Sequence, residues 1–276
     1  MGRYYALNDG LATEVADAIE DHYKPRFAGD ALPRHTVGLV VALADKLETL
    51  VGMFGIGNLP TGDKDPFALR RHALGVIRML VDKDLPLDLS ALLALAVPAF
   101  GDKITDASAA LADFMYDRLA GALREQGYSA QEVDAVLALR PQRLSEVGRR
   151  LVAVRAFAAL PEAAALAAAN KRIGNILKKA QDVDAHVNPA LLHEAAELAL
   201  HTAMQDSLPR ANALFEAGDY TDALQALAAL RAPVDAFFDG VMVNAEQDDL
   251  RLNRHGLLKV LHLAMNRVAD LARLAS

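Results

Sequence analysis

Apolar side chains recur at steps of three and four residues along most of the chain, which is the spacing of helices with one buried face. Glycine, proline and asparagine interrupt the pattern at intervals and mark the turns between helices. The pattern predicts helical segments over 11–23, 37–51, 66–80, 90–100, 104–126, 129–139, 142–160, 162–180, 188–204 and 247–274, and a helical hairpin over 214–230. We therefore predict an all-α fold.

The first two of these helices also carry a prediction about their faces. In 11–23 the spacing places Leu11, Val15 and Ile19 on an apolar side and most of the acidic residues, Asp17 and Asp21 among them, on the other. In 37–51 it predicts a buried face on which these residues lie: Val37, Val40, Val41, Ala44, Leu47, Leu50 and Val51.

A glycine-rich turn separates the helix over 37–51 from the next one. We expect the first helix to stop at Gly52, Gly55 and Gly57, since glycine adopts a positive φ without steric cost. Asp65 is placed as an N-cap and Pro66 as the first helical residue, where its missing N–H costs nothing. The turn is therefore predicted to be a rigid connection between two helices.

Composition narrows the class of protein. Hydrophobic residues make up 53% of the 276 residues, with many alanines and leucines, which favours helix over sheet. There is no cysteine, so the printed sequence has no disulfide and no thiolate site. A net charge of −7 argues against a protein that simply coats nucleic acid, so an RNA contact must be a local basic patch. With no long apolar run and no signal pattern, we expect a soluble protein of the cytoplasm.

Several stretches together resemble one family along essentially the whole chain. They are MGRYYA, HYKPRFAGDALP, ALADKLETLVGMFGIG, PTGDKDPFALRR, LPEAAALAAANKRIGNILKKA and FFDGVMVNAEQDDLRLNRHGLL. The chain is identified by them as a member of the beta-subunit family of the bacterial tetrameric glycyl-tRNA synthetase. Since MGRYYA is similar to an interior segment of that subunit, we expect a C-terminal fragment. The resemblance implies an HD-like helical body over 1–140 and a helical-bundle anticodon-binding domain, similar to the DALR domain of arginyl-tRNA synthetases, over 141–276.

The same resemblance implies a function. The parent enzyme attaches glycine to its tRNA with ATP and magnesium, and its alpha subunit carries the adenylate chemistry. This chain is then expected to grip tRNA(Gly), including the anticodon arm, and to have the alpha subunit as its protein partner. We expect no cofactor, no DNA and no membrane partner for it. The sequence contains no residue that we predict to be catalytic, so the chain alone is expected to be non-catalytic.

The densest basic cluster lies at the end of the helix over 162–180. It contains Asn170, Lys171, Arg172, Asn175, Lys178 and Lys179. Cations near a helix C-terminus are common because they complement the helix dipole. Here the two asparagines add donors and acceptors suited to base edges, and the four cations suit phosphates. We predict that this cluster binds tRNA.

A second predicted tRNA contact lies near the start of the last helix. Arg251, Asn253 and Arg254 belong to FFDGVMVNAEQDDLRLNR, the second most specific match to the family, and the resemblance implies the contact. Asp248 and Asp249 could instead pair with these side chains internally. A surface ion pair is worth at most about 1 kcal/mol, so such pairing would still let them turn to RNA.

Two patterns raise the question of a metal. Asp45, in the stretch ALADKL, resembles the last ligand of HD-type phosphohydrolases, but one carboxylate cannot hold a catalytic cation. His193, Glu197 and His201 recur at four-residue steps, yet the second histidine of the zinc-protease motif is absent. We predict no metal site. A metal-dependent phosphohydrolase centred on Asp45 and a helical interaction scaffold without an RNA role stay as the alternatives.

Overall fold

The computed structural model describes residues 1–62, 64–180 and 183–275, and all regular structure in these ranges is helical. The only β-type pairings within them are isolated bridges, Thr61 with Lys64 and Asp88 with Arg143. The predicted all-α fold is therefore confirmed. The residues at 63, 181, 182 and 276 lie outside the described ranges.

The first compact unit comprises Met1–Gln126 and Pro141–Val147. Its helices are α1 (Gly2–Asn8), α2 (Thr13–Asp21), α3 (Thr36–Gly55), α4 (Leu69–Asp82), α5 (Leu89–Ala96) and α6 (Ser108–Glu125). A 3-10 segment, Val97–Lys103, follows α5, and another, Leu144–Glu146, packs against α4. Helix α3 is central to this unit, because α2, α4, α5 and α6 all pack against it.

The second compact unit comprises Gly127–Arg140 and Gly148–Ser276. Its helices are α7 (Ala130–Leu137), α8 (Val147–Ala158, which begins in the first unit), α9 (Ala163–Lys179), α10 (Ala195–Glu216), α11 (Tyr220–Ala228), α12 (Arg231–Gly240) and α13 (Asp248–Met265). By packing, residues 127–140 belong with this unit and 141–147 with the first. The family-domain boundary that we place at residue 140 stays a prediction.

The buried side of α2 differs from the predicted one. Asp17 and Asp21 are buried, whereas Leu11, Val15 and Ile19 are exposed by 36–50%. Cations from neighbouring segments make this possible, since Arg3 donates to Asp17 at 2.6 Å and Arg34 and Lys24 pair with Asp21. Burial opposes ionisation of Asp21, but the hydrogen bonds from Arg34 and Lys24 outweigh it and hold the pKa of Asp21 below its usual range.

The predicted buried face of α3 is only half correct. Leu47, Leu50 and Val51 lie in the core as predicted, but Val37, Val40, Val41 and Ala44 are exposed. The first half of the helix instead buries Gly38, Ala42, Leu43 and Lys46. In the first two turns, the buried face is therefore rotated about the helix axis from the face that the apolar pattern predicts.

The glycines after residue 51 have two different roles. Gly52 lies inside α3, so the predicted stop at Gly52 is wrong, whereas Gly55 is the last residue of the helix as predicted. A Cβ at Gly52 would lie 2.8 Å from the ring of Phe100, and one at Gly55 would lie 2.6 Å from Ile104. These two glycines permit close packing. Gly57 has a φ of 76° and ends the helical region as predicted.

Several predicted helix boundaries also shift. The N-cap of α4 is Ala68 and not Asp65 as predicted, and Pro66 lies outside the helix, which begins at Leu69. The carboxylate of Asp65 still accepts from the first N–H groups of the helix, those of Leu69 and Arg70, at 2.8 and 3.0 Å. The predicted helix over 188–204 is a 3-10 turn followed by α10, which runs on to Glu216. The last helix ends at Met265 rather than at 274.

Candidate nucleic-acid interface

A groove of about 680 Å³ runs along the exposed side of α9 in the second unit. It lies between the C-terminal half of α9, the first turns of α13 and the segment before α13. Five of the nine predicted tRNA-binding residues line it, and these are Lys171, Arg172, Asn175, Lys179 and Arg251. The structure thus brings together residues that are up to 80 positions apart in the sequence.

The groove has a positive lining. The described residues that line it include four cations and no carboxylate. The side chain of Arg251 is bonded to groups at the start of α13. It pairs with Asp248 and donates to the carbonyl of Ala245 at 2.9 Å. The predicted alternative of internal pairing is therefore realised for Arg251. Lys178 is exposed on α9, but it does not line the groove.

One wall of the groove carries an arginine stacked on an aromatic ring. The guanidinium carbon of Arg172 lies 4.1 Å from the ring centre of Phe238 on α12. This pair lines a second pocket of about 550 Å³, and residues of the segment 239–244 line it as well. Met242 in that segment is 73% exposed. Stacked arginine and exposed apolar groups offer the flat, sequence-tolerant contacts on which unpaired bases stack.

Asn244 is a further polar group in the groove, which sequence reasoning did not single out. Its side-chain oxygen lies 3.2 Å from Nε2 of the buried His255. Burial, and then the charge of Arg251, lower the pKa of His255, which favours the neutral ring. Because an amide oxygen only accepts hydrogen bonds, Nε2–H is the donor in this contact. The pair leaves the amide N–H groups of the exposed Asn244 available to a ligand. The signal was present, since Asn244 lies inside the family-like stretch FFDGVMVNAEQDD.

Asn170 lies in the interior, which corrects its predicted role as a tRNA contact. It has no exposed surface, and its amide exchanges two hydrogen bonds with Asn266, at 2.8 and 3.0 Å. Asn266 also donates to the carbonyl of His262 and accepts from the N–H of Leu271. Asn170 therefore fixes the turn that ends α13.

Asn253 and Arg254 are likewise buried and internally bonded, so we withdraw them as tRNA contacts. Asn253 exchanges two hydrogen bonds with the backbone of Asn188, at 2.7 and 3.1 Å, and so anchors the segment before α10. Arg254 pairs with Glu197 and donates to the carbonyl of Met242 at 2.8 Å. Both face inward because α13 presents this side to α10 and its preceding turn.

Glu197, the middle residue of the predicted His193, Glu197 and His201 face, is buried and has structural partners. Its carboxylate accepts from the N–H groups of His193 and Glu194, at 2.9 and 2.8 Å, and from Arg254. Burial raises the pKa of Glu197, but these hydrogen bonds outweigh it and lower the pKa overall. The described residues contain no group of three His, Asp or Glu side chains that could hold a metal ion.

Asp45 lies in the first unit, at a cavity of about 240 Å³. The charged residues that share this cavity with it are all cations, with Lys46 and Arg71 among them, and the one histidine in the described lining is His72. Burial lowers the pKa values of Lys46 and His72. The described residues around Asp45 do not form the set of oxygen and nitrogen ligands that a metal-dependent phosphohydrolase needs.

Comparison with known families gives two matches. Residues 1–138, half of the chain, match the sequence model of the glycyl-tRNA synthetase beta subunit, and residues 166–271 match that of the DALR anticodon binding domain. The chain belongs to the glycyl-tRNA synthetase beta-subunit family. The DALR match contains every described residue that lines the groove along α9.

Close relatives in this family cover the chain completely. It is 79% identical over 275 residues to the glycine–tRNA ligase beta subunit of Paracidovorax citrulli (strain AAC00-1) and 77% identical over 277 residues to that of Polaromonas naphthalenivorans (strain CJ2). In both comparisons all of this chain is covered, together with 39% of the relative. The chain thus spans about two fifths of the length of these family members.

Length and apolar content together decide whether a helix can cross a membrane. In the parts of the chain that the structure describes, no single helix is both long and apolar enough to cross one. The segments Leu144–Ala158 and Ala163–Lys179 reach the required length and composition only when they are counted together, and they are bent by 111°.

Proposed function

We propose that this chain is a tRNA-binding part of a glycine–tRNA ligase beta subunit and that the groove along α9 holds the anticodon arm of tRNA(Gly). The observation that carries the proposal is the convergence of Lys171, Arg172, Lys179 and Arg251 around one groove inside the DALR match. The name of the matched family indicates glycine and tRNA as the parent's substrates.

Electrostatics supports the groove as the site. The chain has a net charge of −7, so most of its surface repels a polyanion. A local cluster of cations whose described lining lacks carboxylates is therefore where a phosphate backbone gains the most. Lys178, exposed at the end of α9, extends this cluster outside the groove.

Polar and stacking groups in the groove support recognition of unpaired bases. Asn175 is exposed in the groove and offers both donors and acceptors. Asn244, held by His255, offers amide N–H groups to acceptors on a base edge. The Arg172–Phe238 stack provides a flat platform beside them. This combination suits a single-stranded loop better than a duplex, whose base edges are stacked inside.

The chemistry of the parent enzyme belongs, in this proposal, to the alpha subunit. That subunit would be the protein partner of this chain and would use ATP and magnesium to activate glycine. This chain would act in the cytoplasm, where tRNA is charged for translation, and would contribute grip and selection. The phosphohydrolase and scaffold alternatives gain no support from a specific observation.

Binding measurements on single variants test the proposal. Lys171→Ala and Arg172→Ala should weaken binding of tRNA(Gly) and of an unrelated tRNA to a similar extent, because phosphate contacts carry no sequence information. Each should also flatten the dependence of log K on log salt by about one unit at most. Asn244→Ala should weaken tRNA(Gly) alone, by about 1–3 kcal/mol.

Arg210→Ala is the matched control, since Arg210 is an exposed cation on α10 that does not line the groove. It removes the same charge from the same unit. If Arg210→Ala weakens both tRNAs as much as Lys171→Ala does, the groove has no special role and the proposed site is wrong.

A further inference from the structure

The first compact unit contains a small cavity, lined by three cations and one carboxylate among its described residues, that the proposed tRNA groove does not use. This is the cavity of about 240 Å³ beside Asp45. Arg26, Lys46 and Arg71 contribute positive charge to it, and Asp45 is the one carboxylate among the described residues that line it. A cavity with this balance of charge attracts an anion.

Lys46 is the most unusual of these groups. It is 3% exposed, and its ammonium group donates to the carbonyls of His22 and Tyr23 at the long distances of 3.2 and 3.4 Å. No carboxylate within the described ranges forms an ion pair with it. A buried charge is costly unless an opposite charge pairs with it, so Lys46 lacks the partner that its burial calls for.

The absence of a side chain at Gly75 leaves space for the side chain of Lys46. A Cβ at Gly75 on α4 would lie 3.1 Å from Cε of Lys46 and 3.2 Å from its Cδ. An alanine there would press on the lysine side chain. The packing of α3 against α4 at this point therefore depends on a glycine opposite a buried cation.

His72 supplies a second group without a partner. Its Nδ1 is buried and has no hydrogen-bond partner in the part of the chain that the structure describes. Arg71, next to it at the cavity, is exposed and forms no ion pair with any described residue. Lys46, Arg71 and His72 all line the same small cavity. A ligand with several acceptor oxygens would supply a partner to both cations and to the ring nitrogen.

The start of α4 is not what makes this site. The first free N–H groups of the helix, those of Leu69 and Arg70, already donate to the carboxylate of Asp65. The expected ligand is therefore held by side chains. The cavity is smaller than the roughly 300–1,000 Å³ of sites for drug-sized ligands, so it fits one compact anionic group.

We propose that this cavity binds a phosphate group, with ion pairs from Lys46 and Arg71 and a hydrogen bond from Nδ1 of His72. Arginine and lysine are the usual phosphate partners in proteins, and a phosphate carries enough charge and acceptors for all three groups. The group comes either from free inorganic phosphate or from an RNA backbone. Two other charged residues line the cavity but do not contact the phosphate in this proposal. Arg26 is already bonded to Asp30, and Asp45 carries a negative charge.

Titration of the 276-residue chain with inorganic phosphate tests this, with calorimetry for affinity and side-chain ¹⁵N NMR for the imidazole of His72. Sodium chloride at equal ionic strength corrects for screening. We expect saturable binding that shifts the His72 nitrogens, and a loss of affinity of about tenfold or more in Arg71→Gln. Lys46→Met should fold, since it places an apolar side chain in a buried position, and should also lose binding.

Arg70→Gln is the matched control, because Arg70 precedes Arg71 on α4 and does not line the cavity. It should keep the affinity within about twofold. A short RNA oligonucleotide forms the second arm of the test. If inorganic phosphate does not saturate the site but the RNA shifts His72 and is weakened by Arg71→Gln and not by Arg70→Gln, the phosphate comes from an RNA backbone and the proposal stands.

The proposal is overturned if neither ligand perturbs His72, or if Arg70→Gln and Arg71→Gln weaken binding equally. Should Lys46→Met fail to fold, the comparison of the two arginine variants decides alone. Neither measurement with inorganic phosphate involves α9 or tRNA. Failure of the tRNA proposal would therefore leave this one standing, and the reverse also holds.

Discussion

At the scale of single residues, the two asparagines of α9 show how one sequence cluster serves two purposes. Asn170 has no exposed surface and bonds to Asn266, whereas Asn175, five positions later, is exposed in the groove. Five positions along a helix turn a side chain by well over a quarter of the circumference. The same residue type therefore holds the fold at one position and faces a ligand at the other.

Alanine at these two positions should separate the roles. Asn170→Ala removes one side of a reciprocal amide pair and leaves the other buried, so we expect the free energy of unfolding to fall by about 1–3 kcal/mol. Asn175→Ala should change stability by less than about 0.5 kcal/mol and should weaken tRNA(Gly) but not an unrelated tRNA. Urea unfolding and tRNA titration measure the two effects. A stable Asn170→Ala with lost cognate binding would contradict the assignment.

Sequence could identify the cationic cluster but not which members face outward. Lys171, Arg172 and Lys179 are too strongly hydrated to be buried alone, so their exposure was predictable. Asn253 and Arg254 were not separable from them, because their partners, Asn188 and Glu197, lie more than 50 positions away. Only the three-dimensional packing of α13 shows that these side chains are buried and bonded inside the fold.

At the scale of elements, α7 is the clearest case in which local sequence decided the structure. Ser129 and Glu132 form a capping box at its start, since Ser129 accepts from the N–H of Glu132 and Glu132 accepts from the N–H of Ser129. Arg155 on α8 also donates to Glu132, at 2.7 Å. The bond from Arg155, with those from Ser129, outweighs burial and lowers the pKa of Glu132 to about 2.

This pKa gives the stability of the second unit a dependence on pH. The folded-state value lies below the ordinary 4.5, so the ionised carboxylate stabilises the fold above pH 4.5, and the contribution is lost as the pH falls toward about 2. We expect Glu132→Gln to lower the free energy of unfolding at pH 7 by about 1 kcal/mol, and the difference from the natural chain to vanish near pH 2. Urea unfolding between pH 2 and 7 measures it. A constant difference across that range would contradict the assignment.

The roles of the glycines at the end of α3 could not be predicted from the local sequence. A glycine within an apolar run can end a helix or can admit a neighbour, and the sequence offers the same letter for both. Gly57 ends the helix, but Gly52 and Gly55 admit Phe100 and Ile104, which are nearly 50 positions away. The predictions of the buried faces of α2 and α3 were wrong for a similar reason. Arg34 and Arg3 neutralise the carboxylates of α2, so the charged side could turn inward.

At the scale of the whole molecule, the helical class and the family were predictable, and the packing units were not. Helical periodicity and the family-like stretches run along the entire chain, and both are confirmed. The units exchange short segments around residue 140, because residues 127–140 pack with the later helices and 141–147 with the earlier ones. Composition barely changes there, so the exchange left no signal in the sequence.

The proposed division of labour between subunits leads to a prediction about catalysis. The described residues offer no cluster of metal-binding side chains, and we assign nucleotide chemistry to the alpha subunit. We therefore expect the 276-residue chain alone to show no glycine-dependent pyrophosphate exchange with ATP. The assay requires a preparation free of alpha subunit, with added alpha subunit as the positive control. Exchange above background in the pure chain would show that the assignment is wrong.

The central claim is that the cations of α9 hold tRNA, and a salt-dependent titration of tRNA(Gly) tests it most directly. The chain is compared with a variant in which Lys171, Arg172, Lys178 and Lys179 are all alanine and whose helix content is unchanged. Each phosphate contact contributes about 0.7–0.9 to the slope of log K against log salt, so we predict weaker binding and a slope reduced by up to about three units. Unaltered affinity and an unaltered slope in the folded variant would show that these side chains form a solvated face with no role in tRNA binding.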